Sequence, residues 1–280
     1  MTFSEKYFED EVREGFYVPS MIKRAWAAEL EALAQIDRIC TKYNIQYFAE
    51  WGTLLGAVRH NGFIPWDDDI DVFLMREDYD KLLLKLKQNS NKKYKIIDDT
   101  NSAYYYPFAK IVDMETIAKM EDNTTEHGIW VDIFPLDNLP DNPIKRWMYL
   151  KCCFMYRSVI IAMTTDFRAS NLGKKKIIKY LLNNIANIIG KQNIIKQYIA
   201  LIRAYIDRKT EYVGCLSSPY IEREMLERNK IKVITRMLFE GKEYSTIKEW
   251  DYYLRKLYGN YMTLPPLDKR RVHSITAWKI

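Results

Sequence analysis

Three consecutive carboxylates, Asp67, Asp68 and Asp69, and a fourth at Asp71 stand directly ahead of the apolar run Val72-Phe73-Leu74-Met75. The spacing of Asp69 and Asp71 is what invites chemistry. On an extended chain, residues two apart project to the same side, so these two carboxylates sit together while Ile70 and Val72 turn toward a core. Two ionised carboxylates at that separation repel, and a cation relieves the repulsion. Hard oxygen ligands suit hard cations, which makes Mg²⁺ or Mn²⁺ the natural partner of such a pair. A polar turn before a strand can show the same Asp-x-Asp, so the elements around it must decide.

Those elements span residues 47–79. Residues 47–51 read as the end of a strand, Gly52-Thr53 as a turn, and residues 54–59 as a helix-like segment; a loop with Asn61-Gly62 and Pro65 then leads into the carboxylates. Upstream, residues 21–43 place Trp26, Leu30, Leu33, Ile36, Ile39 and Cys40 at helical spacing, with Asn44 as the stop. Residues 71–75 form the next strand and 78–88 a helix. Residues 94–97, 108–112, 117–120 and 130–134 read as further strands. A mixed sheet with helices on one face is the expected core, of the α/β (α+β) class.

The run W-G-T-L-L-G-A-V-R-H-N-G-F-I-P-W-D-D-D-I-D-V, residues 51–72, resembles the signature of the LicD family within the nucleotidyltransferase-fold superfamily. Members of that family, to which fukutin and fukutin-related protein are related, move phosphocholine or a comparable phospho-alcohol from a cytidine diphosphate donor to a glycan hydroxyl. The superfamily carries a Gly-Gly or Gly-Ser turn, matched here by Gly52-Thr53, then a strand with two acidic residues two apart, matched by Asp69 and Asp71. Val131-Asp132-Ile133-Phe134-Pro135-Leu136-Asp137 is similar to the family's second motif, and the resemblance implies that Asp132 is the third carboxylate. The likeness covers residues 22–137 and returns at residues 258–266. The chain departs from the family after Phe239-Glu240-Gly241, where a proline often found in relatives is missing.

The resemblance implies a metal-dependent phosphotransferase with Mg²⁺ or Mn²⁺, two ions, held by Asp69, Asp71 and Asp132, the last of these near the acceptor hydroxyl. The implied donor is a CDP-alcohol, CDP-choline foremost, and the acceptor a glycan or lipid-linked glycan of the bacterial surface, such as lipopolysaccharide or teichoic acid. Gly52 and Thr53 suit the diphosphate, because glycine lets backbone N–H groups approach phosphate and the following helix presents its positive end. Arg59, His60 and Lys110 are candidate phosphate contacts by charge and proximity. Asp67 and Asp68 are expected to cap the loop, and Trp51 and Trp66 to lie in the core, although an aromatic ring near the donor can hold a trimethylammonium group. His127 and His273 are assigned no catalytic part. The alternatives are a nucleotidyltransferase that passes on the nucleotide itself, and a non-catalytic nucleotide-binding protein.

The totals agree with an ordinary soluble globular protein: 280 residues, 48% hydrophobic and 29% charged. No run reaches the length of a bilayer-spanning helix and the first residues lack the pattern of a signal peptide, so a cytoplasmic place is expected. The four cysteines, Cys40, Cys152, Cys153 and Cys215, are expected to be reduced thiols rather than a zinc site with His127. The net charge of +6 is unevenly spread: residues 1–142 carry 16 basic and 26 acidic side chains, residues 143–280 carry 27 and 11. We expect a catalytic core over 1–142, and over 143–280 a mostly helical, basic region that completes the cleft. Residues 174–189 put seven Ile and Leu at helical spacing behind Lys174, Lys175, Lys176 and Lys179. The favoured expectation is a helix packed on its neighbours with a solvated basic face; peripheral contact with an anionic membrane is the alternative. The basic residues form no recognisable nucleic-acid module.

Overall fold

The computed structural model describes residues 3–89, 91–120, 128–165, 167, 175–218, 220–270 and 275–279; His127, Lys174, Arg271 and His273 lie outside them. A hairpin of β1 (Glu11–Arg13) and β2 (Phe16–Val18) precedes α1 (Ser20–Tyr43). Helix α1 buries Trp26, Leu30, Leu33, Ile36 and Ile39, the stripe its periodicity sets, and Asn44 closes it in the left-handed conformation. Strand β3 (Phe48–Ala49) is far shorter than the expected strand over 45–51. The backbone is still extended at Glu50, but φ is +41° at Trp51 and α2 (Trp51–His60) begins there. Gly52 and Thr53 thus belong to the first turn of a helix rather than to a turn ahead of it.

Next come β4 (Asp71–Met75), α3 (Arg76–Gln88), β5 (Tyr94–Ile97), β6 (Ala109–Asp113), β7 (Thr116–Met120) and β8 (Trp130–Asn138), with β8 running well past its expected end. The C-terminal half supplies α4 (Pro143–Thr164), α5 (Lys175–Ile189), α6 (Lys191–Ile202), β9 (Tyr212–Gly214), β10 (Met225–Glu227), the hairpin β11 (Ile234–Phe239) and β12 (Lys242–Ile247), α7 (Trp250–Tyr258) and β13 (Ile275–Lys279). The region expected to be mostly helical therefore contains strands too. The sequence over 246–258 reads as one helix, but Thr246 is buried in β12 opposite Thr235 and α7 starts only at Trp250. The sequence over 192–208 also reads as one helix, but α6 ends at Ile202.

The main sheet has seven strands in the order β10-β9-β8-β4-β3, with β6 also on β8 and β5 outside β6. Strand β8 is its spine. It runs parallel to β4 along one edge and antiparallel to β6 and then β9 on the other. Alternation sorts the side chains into two faces. Ile70, Val72 and Leu74 join Val131 and Ile133 in one core with Trp26, Leu30 and Leu33 of α1 and Tyr79, Leu82 and Leu86 of α3. Phe73, Phe134 and Leu136 turn the other way, into a second core with Leu54 and Leu55 of α2 and Tyr253 and Leu254 of α7. Helices thus cover both faces of the sheet, not one, because the second face needs α2 and α7 to bury Phe73 and Phe134. A third core joins α4 and α6 around Tyr149, Cys153, Ile195 and Tyr198.

The clamp between α3 and the spine is a buried ion pair. Arg76 Nε and Nη2 donate to Asp137 Oδ1 and Oδ2, each at 2.7 Å, with both side chains nearly inaccessible. Helix α5 is the exception to good packing. Among its described side chains only Ala186 is buried, while Ile177, Ile178, Leu181, Ile185, Ile188 and Ile189 face outward, contrary to the packed helix expected. The four cysteines are free thiols, Cys152 exposed and the others buried.

Candidate active site

Asp71 and Asp132 are register partners on the parallel pair β4–β8, and both project to the face that also carries Phe73 and Phe134. Neighbouring strands run about 4.8 Å apart, so two strands bring together carboxylates separated by sixty residues of chain. The main chain fixes this register: the Asp132 N–H donates to Ile70 O at 3.0 Å, and the Glu50 N–H to Asp71 O at 3.1 Å. Asp67, Asp69, Asp71 and Asp132 all line one cleft of about 540 Å³, together with Gly52, Trp51, Phe134, Tyr220, Arg223, Glu224 and Tyr258.

The acidic loop is held from below by α1. Trp26 Nε1 donates to Asp67 O at 2.9 Å, and the Trp26 ring stacks on Phe63 with centroids 4.6 Å apart. Gly52 is required by contact: a Cβ there would lie 2.1 Å from Asp67 Oδ2. The carboxylate of Asp67 therefore packs against the start of α2, where the helix dipole favours negative charge. Thr53 is buried and does not line the cleft; its Oγ1 accepts the Asp71 N–H at 2.9 Å and ties α2 to β4.

Electrostatics single out Asp71. Burial raises its pKa well above the usual carboxylate range, and the negative charges of Asp69, Asp132 and Asp67 push the same way, with Lys110 opposing. Lys110, on β6 beside the spine, places Nζ 2.7 Å from Asp132 Oδ1 and 4.2 Å from the centre of the Trp130 ring, whose Nε1 donates to Asp132 Oδ2 at 3.1 Å. Lys110 is thus the built-in counter-ion of Asp132. Arg59 stands at the far end of α2, donating to His60 Nε2 and to Tyr261 O at 2.8 and 2.7 Å, and does not line the cleft. Trp66 likewise lies away from the cleft lining, under the Arg270 guanidinium at 4.6 Å.

Three buried acids complete the picture, none of them singled out from the sequence. Glu29 on α1 is driven far toward its neutral form by burial and then by Asp69, Asp68, Asp67 and Asp71. Its only sequence signal is a glutamate between Trp26 and Leu33 on the apolar stripe. Glu50 is fully buried and raised likewise by burial. Glu224 lines the cleft beside Trp51; its Oε1 accepts from Trp51 Nε1 at 3.0 Å and from Ser218 Oγ, and burial pushes its pKa up to about 7. Trp51, expected in the core, is instead a half-buried wall of the cleft.

The donor set around Asp71 is oxygen only, with the carboxylates of Asp69, Asp132 and Asp67 acting on it together, so in kind it fits a hard divalent cation. Among the described residues, no three acidic, imidazole or thiol side chains converge as a finished cage, and Asp132 faces Lys110.

Comparison with known proteins agrees with this geometry. Residues 44–164 match the family described as LicD/FKTN/FKRP, nucleotidyltransferase domain. The chain is 26% identical over 251 residues to the lipopolysaccharide cholinephosphotransferase LicD of Haemophilus influenzae, covering 88% of this chain and 93% of that protein. It is 33% identical over 139 residues to an uncharacterized protein of Rickettsia typhi, 46% of this chain and 44% of that one. Over 65 residues it is 35% identical to the ribitol 5-phosphate transferase FKRP of Mus musculus, 23% of this chain and 13% of that protein. The motif-bearing strands β4 and β8 and the helix between Trp51 and His60 all fall inside the stretch that matches that domain.

Proposed function

We propose that the protein is a transferase that moves a phospho-alcohol, phosphocholine foremost, from a CDP-alcohol to a hydroxyl of a bacterial surface glycan such as lipopolysaccharide. The observation that carries this reading is the meeting of Asp69, Asp71 and Asp132 in one cleft, within a chain that aligns along nearly the full length of a cholinephosphotransferase. The acceptor oxygen attacks the phosphorus bearing the alcohol, a new P–O bond forms, and the bond to the cytidylate oxygen breaks, releasing CMP. The hydroxyl proton passes to Asp132, which lines the same cleft. Asp69 and Asp71, with Asp132, would hold one or two Mg²⁺ or Mn²⁺ ions, which supply charge neutralisation on the diphosphate. Arg223 on the facing wall is a cation within reach of a phosphate in the same cleft. Trp51, its ring exposed to the cleft and its Nε1 fixed on Glu224, offers a cationic alcohol an aromatic face with a carboxylate behind it.

The test is incubation of the full chain with CDP-choline, CDP-ethanolamine or CDP-ribitol, each labelled in the alcohol, with Mg²⁺ and lipopolysaccharide. Label should appear on the glycan with an equal amount of CMP released, and Asp71→Asn should lose it. Transfer of the nucleotide half instead, or turnover near wild type in Asp69→Asn and Asp71→Asn, overturns the assignment.

A further inference from the structure

Helix α5 turns its most apolar side to solvent. Ile177, Leu181, Ile185 and Ile188 recur at positions i, i+4, i+8 and i+11, one stripe of a 3.6-residue helix, with Ile178 and Ile189 alongside. All six are exposed, Ile177 by 70% and Ile188 by 86%, while Ala186 on the other side is buried in the core that holds Tyr149, Cys153 and Ile160 of α4. Helix α4, packed on α5, exposes Ile144, Trp147, Met148, Phe154 and Met155 as well. A soluble monomer seldom leaves so much large apolar surface uncovered unless something binds it.

Charge identifies the occupant. Residues 143–189 hold nine Lys and Arg and a single acidic residue, Asp166. Lys145 and Lys176 are exposed beside the apolar side chains, while Lys151 is paired with Glu222 at 2.8 Å. A second copy of the chain would set this basic surface against itself, and like charges across an interface cost affinity. An anionic lipid surface complements both features: headgroup charge meets the lysines while Ile and Leu enter the acyl boundary, and an exposed Trp is at home at that depth. Among the described residues no helix is long and apolar enough to cross a bilayer, so such a helix lies in the interface plane.

We propose that α5, with the outward side of α4, docks this protein onto an anionic membrane surface. The inference does not depend on the transfer chemistry. Its test is flotation of the full chain with vesicles of phosphatidylcholine alone or mixed with phosphatidylglycerol. The wild type should float with the anionic vesicles only and be released by salt. The triple variant Ile177→Ser, Ile185→Ser, Ile188→Ser should lose at least about tenfold in partition, with its circular dichroism and unfolding midpoint unchanged because the three side chains are exposed. The pair Lys145→Glu, Lys176→Glu should lose binding to anionic vesicles independently of the apolar residues. A wild type that floats with neither vesicle, or a triple variant that floats as well as wild type, overturns the proposal. So does a concentration-dependent dimer in sedimentation that the triple variant abolishes, which would make the face an interface between copies.

Discussion

Replacing Glu224 with glutamine isolates one buried acid at the cleft and should rewrite the pH dependence of stability. In the native state burial raises this carboxyl from 4.5 to about 7, while an unfolded chain returns it to the ordinary value. Below pH 4.5 both states hold the proton and the group contributes nothing to the pH dependence. Between 4.5 and 7 the unfolded state has released its proton and the native state has not, so native stability falls as pH rises, and the fall levels off above 7. At 1.36 kcal/mol per pH unit, the full loss across that window is about 3 kcal/mol. Glutamine keeps an oxygen for Trp51 Nε1 and Ser218 Oγ, and its amide group falls where Oε2 has no hydrogen-bond partner. That misfit adds a constant, not a slope. Urea unfolding of metal-free protein at pH 4.5, 5.5, 6.5 and 8 should therefore show the Glu224→Gln curve rising relative to wild type by about 3 kcal/mol from the acid to the alkaline end. Parallel curves would refute the reasoning, because they would mean that the carboxyl titrates alike in both states.

The other predictions bear on the same wall and spine. Asp71→Asn should abolish turnover yet raise the unfolding midpoint of the metal-free protein, by about 1 kcal/mol or more, since it removes a charge that burial and three carboxylates oppose. Lys110→Met should tighten Mn²⁺ binding, read by electron paramagnetic resonance, about tenfold, as Asp132 loses its built-in cation. Arg76→Ala strands Asp137 in the interior and should cost about 3–5 kcal/mol in chemical unfolding, without any change in the cleft residues.

Much of the fold was legible in local spacing. The stripe on α1, the alternation of Ile70, Val72 and Leu74, and the run that became β8 each carried their own period, and the structure has those elements where the periods put them. What failed to show was anything set by a single dihedral or by a partner distant in sequence. Trp51 cuts the first strand short because its φ is positive, which no apolar pattern encodes. Thr246 pairs with Thr235 in a hairpin, although the residues after it read as helix. Asp69, Asp71 and Gly52 were evident from spacing and resemblance, and Asp132 from resemblance alone. Lys110 stood out only by its charge; its role as counter-ion to Asp132 depends on β6 lying beside β8. Glu224 lines the cleft, and Glu29 and Glu50 lie buried within the electrostatic reach of its carboxylates; only the fold brings the three there.

The two halves of opposite charge both line the cleft, and that helps to make the acidic cluster tolerable. Asp67, Asp69, Asp71 and Asp132 come from the acidic half; Tyr220, Arg223, Glu224 and Tyr258 close the cleft from the basic one. Carboxylates alone would exclude a diphosphate, and arginine alone would hold it without activating it. Both signs lining one cleft suit the ligand proposed for it, an anionic diphosphate accompanied by a divalent cation. The same asymmetry continues outward to α4 and α5, whose lysines face away from the core. The exposed lysines of α4 and α5 belong to the basic half and the carboxylates of the cleft to the acidic one, so an anionic membrane would engage the first and not the second. The arrangement predicts that salt should release the protein from vesicles without weakening Asp71-dependent binding of donor and metal to the same extent, because the buried cluster is screened far less than exposed lysines are.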